Sequence, residues 1–204
     1  MNYKCHRVAG LCAGLSYCFI SSEVNPPTNP TALFNLYSAV LLASQLGSII
    51  PDIDHPNSFV GKHFKTFSKS FNTLFGHRGM FHYPIFLLCI IVIMHFSYNS
   101  LPEDWRYLYV LFCKGFVIGY ISHIFLDLFN SKGVKLLKPI INYNFKIPTG
   151  IKIKKKKRKK LKRDMGRISI KFTYLNGSNK KDQIIINFLC IFGMLIIFYF
   201  YIIL

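Results

Sequence analysis

The sequence predicts an all-α, multipass helical membrane protein of about five spans, with a small β element on the cytoplasmic side. Three observations carry that reading. Hydrophobic residues make up 51% of the 204 positions, with 20 Phe and 12 Tyr, and the mean hydropathy is +0.31. The apolar residues fall in runs close to the ~20 residues that a helix needs to cross a bilayer. Finally, 26 Lys and Arg oppose 8 Asp and Glu for a net charge of +18, yet charged residues amount to only 17% of the chain. The charge is therefore segregated, and residues 152–171 alone hold 12 basic residues and one Asp. A soluble nucleic-acid binder of this charge would be strongly hydrophilic, so that class is excluded, as are a disordered chain, a coiled coil and a disulfide-stapled secreted domain.

The spans are predicted in order. Val8 to Ile20 is a largely apolar stretch of only 13 residues and is either a short helix extended by its flanks or the hydrophobic region of a signal peptide, since Lys4 and Arg7 precede it. Ala32 to Ile50 is a strong span. Met80 to Tyr98 opens with His82 and Pro84 and carries His95, and Tyr107 to Phe129 carries Lys114, His123 and Asp127. Ile184 to Leu204 contains no charge and is the clearest span of all. The six cysteines lie in or beside apolar runs without a CxxC pair, so they read as small packing residues. Ile141, Tyr143, Phe145 and Ile147 alternate with polar residues, as do Ile168, Ile170, Phe172 and Tyr174, and Asn176-Gly177 is a hairpin-type turn; these predict the β element. Three regions result: a membrane-embedded metal-site domain over 1–150, a lysine-rich cytoplasmic insert over 151–182 and a C-terminal transmembrane helix over 183–204.

Basic residues set the expected topology, because Lys and Arg accumulate in cytoplasmic loops. Segments 1–7, 51–79 and 130–182 hold two, four and eighteen of them, whereas 21–31 has none and 97–106 has only Arg106. The amino terminus is thus expected in the cytoplasm. The lysine run, read alone, resembles a nucleic-acid tail; beside membrane spans it is expected to lie against anionic lipid headgroups.

That topology brings the ionisable residues to one membrane face. His6 lies at the inner entrance of the first span; Asp52, Asp54 and His55 follow the second in PDIDHPNS. His77 and His82 precede and open the third in GHRGMFHYP, and His123 and Asp127 occupy the inner end of the fourth. His123 and Asp127 are four apart and project from one helical face, as converging metal ligands do. Pro51 is expected to end its helix and leave the Asp-x-Asp-His run extended. His and Asp without Cys favour Zn²⁺, with Mn²⁺ or Fe²⁺ as alternatives, and so many candidates imply two or three divalent ions. Duller readings exist for each. Asp52 and Asp54 suit helix capping or a turn before Pro56 and Ser58, His95 suits packing within its helix, and His63 among lysines suits the surface. For His123 and Asp127 a buried hydrogen-bonded pair is the alternative, although intramembrane acids are costly and normally functional.

The runs PDIDHPNS, HRGMFH and GYISHIFLDLFNSKGVKLLKP, in that order and after an early His6, resemble the YdjM-type inner-membrane family, described as membrane-bound metal-dependent hydrolases. The resemblance covers roughly residues 1–150 and implies a multipass protein of the bacterial inner membrane whose metal ligands come from these His and Asp positions. A more remote likeness of His and Asp pattern is to zinc-dependent phospholipase C and its nuclease relatives, which use three zinc ions. The chain departs from the family in Phe81 and Tyr83, where small hydroxyl residues are usual, and in the lysine insert after Gly150.

The function expected is hydrolysis of a phosphoester or lipid-linked phosphate at the cytoplasmic face. Asp52, Asp54, His77, His82, His123 and Asp127 are expected nearest the metals, with His6 and His55 farther out. Asp54 is the candidate base and Arg78 the candidate holder of an anionic substrate oxygen. The alternative is a metal-ion or proton transporter using the same cluster; transporters more often place such groups near the midplane and contain internal repeats, and none is seen here.

Overall fold

The computed structural model describes residues 3–75, 80–130, 133–134, 143–156, 167–173, 175 and 179–203, without side-chain detail for 75, 150–156, 167–173 and 200–203. Seven α-helices are present among these residues: α1 (Tyr3–Val24), α2 (Pro30–Ile49), α3 (Phe59–His63), α4 (Lys65–Phe75), α5 (Pro84–Tyr98), α6 (Glu103–Leu128) and α7 (Lys180–Ile203). Two 3-10 turns, Ile50–Asp54 and Met80–His82, carry site residues. By length and composition three helices can cross a membrane: α2 with its 3-10 extension, α6, and α7 over Lys180–Tyr199. The fold is that of an all-α membrane protein. Apolar side chains point outward on α7, where Phe188 is 65% exposed, as expected of a face whose solvent is lipid.

The short apolar run at Val8 to Ile20 is the middle of a 22-residue helix, α1, packed against α2, α6 and α7. Two glycine pairs draw the bundle together. Gly115 and Gly119 of α6 lie on Val40 and Ser44 of α2 so closely that a Cβ at Gly119 would overlap the Ser44 carbonyl, and one at Gly47 the Phe116 carbonyl. Gly10 and Gly14 of α1 do the same against Ser48 and Ser44. Lipid is as apolar as a helix surface, so close backbone approach through small residues replaces the hydrophobic drive. These contacts make α1 antiparallel and α6 parallel to α2. Tyr109 of α6 donates to the Met94 carbonyl of α5 at 3.1 Å, in an antiparallel pair. Tyr3, Ile49, Pro84, Leu128 and Lys180 consequently share one end of the bundle.

Two local expectations are corrected. After Pro51 the chain is not extended but winds into the 3-10 turn Ile50–Asp54, because proline in a first turn forfeits only an N–H that has no partner there anyway. The β element is a two-stranded antiparallel hairpin of β1 (Gly150–Lys156) and β2 (Arg167–Thr173). Its second strand falls where the alternation predicts; its first lies in the lysine run, where Ile151 and Ile153 alternate with lysines, and not at 141–147. Phe145 instead makes an isolated bridge with Val134. Asn176-Gly177 lies outside the described residues.

Candidate metal centre

Four chain segments meet at the Ile49/Leu128 end of the bundle, each fixed by its own contacts. Asn29 caps α2 by accepting from Ala32 N at 2.7 Å, with Pro30 opening the helix, and α2 then runs to the 3-10 turn that bears Asp52 and Asp54. Ser58 donates to the Asp52 carbonyl at 2.7 Å and accepts from Gly61 N at 2.8 Å, which ties that turn to α3. Asn72 of α4 donates to the Asp54 carbonyl at 3.1 Å. The turn carrying His82 is held by Phe81: its ring packs against Phe71 and Phe86, and its carbonyl accepts from the hydroxyl of the buried Tyr120. Helix α1 delivers His6, and α6 delivers His123 and Asp127.

His6, Asp54, His82, His123 and Asp127 are at most 1% exposed. The Asp52 side chain, 15% exposed, is the most accessible of the group. His123 Nδ1 lies 2.6 Å from the Ser48 carbonyl, so the neutral ring donates there and turns the lone pair of Nε2 inward. That Nε2 lies 3.3 Å from His82 Nε2. Asp52 Oδ1 and Asp127 Oδ2 are each 3.7 Å from His82 Nε2 and 3.9 Å from His123 Nε2. For ligands about 2.0–2.1 Å from a tetrahedral ion, the ligand-to-ligand edge is about 3.3–3.4 Å. The two nitrogens match that edge, and the carboxylates stand slightly outside it.

A second grouping adjoins the first. His6 Nε2 lies 3.7 Å from Asp127 Oδ1, the oxygen turned away from His82, and the His6 ring stacks on His123. Both nitrogens of the fully buried His6 lack a hydrogen-bond partner among the described residues. Buried polar atoms are nearly always partnered, so orphans facing a carboxylate suit an ion. His6, His123 and Asp127 form one set of potential ligands and Asp52, His82 and His123 another.

The expected residues are thus placed as follows. His6, Asp52, His82, His123 and Asp127 converge. Asp54 lies on the other side of the His82 ring, 3.7 Å from Nδ1. His55 is half-buried at the end of the 3-10 turn, outside both groupings. His77 and Arg78 lie outside the described residues. His63 bonds the Phe59 carbonyl at 2.9 Å on the surface. Sequence reasoning missed Ser48 and Tyr120, which act through a backbone carbonyl and on one. Only the small-residue spacing of Gly115 and Gly119 signals that this stretch of α2 lies against α6.

The family model described as YdjM inner membrane protein matches residues 1–203. "Inner membrane protein YdjM" of Escherichia coli (strain K12) is 39% identical over 103 residues, which are 50% of this chain and 50% of the relative. "Uncharacterized protein YvsG" of Bacillus subtilis (strain 168) is 35% identical over 105 residues, 50% of this chain and 60% of the relative. The chain thus spans between half and 60% of the length of these relatives. No solved structure matches it.

Proposed function

Because the chain belongs to the YdjM family of inner membrane proteins, we propose that it is a membrane-bound, metal-dependent hydrolase that cleaves a phosphoester on a lipid or lipid-linked phosphate at the cytoplasmic face. The observation that carries this reading is the facing pair of imidazole nitrogens, 3.3 Å apart and flanked by Asp52 and Asp127. Two nitrogens at tetrahedral spacing, with two carboxylates slightly farther off, suit Zn²⁺ foremost, then Mn²⁺ or Fe²⁺. Asp127, with one oxygen toward His82 and the other toward His6, suits a carboxylate shared by two ions. His77 is retained as a further ligand.

When bound, such ions lower the pKa of water and offset charge on phosphoryl oxygens. The chain's own residues do the rest. The Ser48 carbonyl fixes the His123 tautomer, and Asp54 orients His82 from its Nδ1 side and stands as the carboxylate left to take a proton. Arg78 follows His77 and is assigned the anionic oxygen of the substrate. Asp52, at the exposed edge, marks where substrate and water enter.

The distribution of basic residues, 24 on one side of the membrane and Arg106 on the other, supports a cytoplasmic amino terminus and a multipass chain of five spans. A site at one end of the bundle rather than its middle suits catalysis on headgroups better than ion transport.

The test incubates metal-loaded protein in lipid with phospholipids, isoprenoid phosphates and aryl phosphodiesters. Turnover is expected to be abolished by chelator, restored by Zn²⁺ or Mn²⁺, and reduced by orders of magnitude in Asp54→Asn. No turnover of any panel member, with a metal or proton flux in proteoliposomes that the same variant loses, would replace this reading with a transporter.

A further inference from the structure

Lys114 has no place in the His and Asp cluster. It is exposed, and it lies eleven residues into the 26-residue α6, about 16 Å from Glu103 at 1.5 Å per residue. It is nine residues from His123, two and a half turns, and so on the opposite side of the helix. A lysine near the helix ends can extend its ammonium to the interface, whereas mid-span it cannot, and intramembrane charges are rare and normally paired. The sequence puts no acid at that depth. Asp52, Asp54 and Asp127 belong to the cluster, Glu23, Glu103 and Asp104 sit at the far end of the bundle, and Asp164 and Asp182 follow the fourth span.

Lys114 instead lines a cleft of about 620 Å³ between α5 and α6, with Tyr17 of α1 on its wall. His95, Tyr98 and Tyr109 line it toward the end of the bundle away from the cluster. Arg106 lies over the Tyr98 ring at 5.5 Å and is paired with Glu103 at 3.8 Å, so Lys114 is the cation that the cleft itself offers. The remaining wall, including Ile91, Met94 and Val117, is apolar. Helix α5 has 15 residues, about 22 Å, against a hydrocarbon core of about 30 Å. A short span thins the bilayer beside it and brings headgroups down toward the cleft.

We propose that the α5–α6 cleft is a second lipid site, in which Lys114 pairs with the phosphate of an anionic phospholipid from the leaflet opposite the His and Asp cluster. The chemistry is complementary part by part. Lys114 draws the negative charge inward, the Tyr98 hydroxyl at the rim offers a hydrogen bond while that of Tyr109 is held by the Met94 carbonyl, and the apolar wall takes the acyl chains.

The experiment is native mass spectrometry of the purified full chain equilibrated with equal amounts of phosphatidylglycerol and phosphatidylcholine. Wild type is expected to retain phosphatidylglycerol preferentially. Lys114→Met should lower that preference about fivefold, the weight of one basic contact near a membrane, while Lys114→Arg keeps it and Lys69→Met leaves it unchanged. Metal content should equal wild type in all of them, so failure here is separate from failure of the hydrolase reading. If Lys114→Met does not keep its metal, Lys114→Gln, polar and uncharged, takes its place. Equal retention of both lipids by wild type would overturn the proposal, as would an undiminished preference in the uncharged variant. Displacement of phosphatidylglycerol by inorganic phosphate alone would also overturn it, in favour of a free-anion site.

Discussion

The ring of His6 lies on that of His123, 3.8 Å between centroids and 16° from parallel, with Asp127 reaching both. His6 thereby belongs to one set of potential ligands; His123 belongs to both sets, although the single lone pair on its Nε2 can serve one ion at a time. His6→Phe keeps a flat ring on His123 but removes a ligand. It is expected to lose about one of the two proposed metal equivalents by elemental analysis, whereas His123→Ala loses at least one and Asp127→Asn, which removes a carboxylate reaching both groupings, loses both. His95→Ala, outside the cluster, should lose none. Full occupancy in His6→Phe would show that no ion sits between His6 and Asp127.

Tyr120→Phe should weaken metal binding without touching a ligand. The buried Phe81 carbonyl loses its donor, which costs about 1–3 kcal/mol, and the turn bearing His82 loosens. A 10- to 100-fold rise in the metal dissociation constant is expected from competition with a chromophoric chelator. An unchanged constant would mean that the Phe81 ring packing alone holds His82.

Gly119→Ala places a methyl group on the Ser44 carbonyl and forces α2 and α6 apart. Overpacking of this kind costs about 1–3 kcal/mol. The unfolding midpoint in detergent should fall, and metal affinity with it, since Ser48 rides on α2. Gly193→Ala, where nothing lies within 4 Å, is the control and should hold or raise the midpoint. Equal behaviour of the two variants would refute the close α2–α6 contact.

Deleting residues 157–163 removes six basic side chains from between the two strands. Association with anionic vesicles should weaken, by an amount that shrinks as salt rises, while metal content stays. A cysteine probe at position 158, in a chain cleared of its other cysteines, should be labelled only from the cytoplasmic side. Labelling from outside would invert the proposed topology.

Hydropathy marks the helices α2, α6 and α7 to within a few residues, because each must be apolar over a bilayer's thickness. It undersizes α1, whose first turns, with Cys5 and His6 buried against the bundle, begin before the apolar run and whose last turn, Ser21 to Val24, continues past it. The convergence of His82, His123, Asp52 and Asp127 is legible because ionisable groups in apolar surroundings stand out. What orients them is not legible: the Ser48 and Phe81 carbonyls are backbone, and every residue has one. Lys114 stands out in the sequence as a charge inside a span, but only the cleft beside it gives that charge a context.

Helices α2 and α6 run parallel, so no tight turn can join them, and α3, α4 and α5 lie between. During synthesis α2 enters the bilayer with Ser44 and Ser48 already met by α1 but with Val40 and Gly47 uncovered, and that face waits some seventy residues for its match in α6. His6 waits longer still, for Asp127. Until α6 arrives, the imidazole of His6 and the aspartates of the turn lack the two side chains, His123 and Asp127, that join them. Completion of the His and Asp cluster is therefore a late event in biogenesis, and a chain stalled before α6 should present its quality-control machinery with an exposed seam at Val40 and Gly47 rather than a half-built centre.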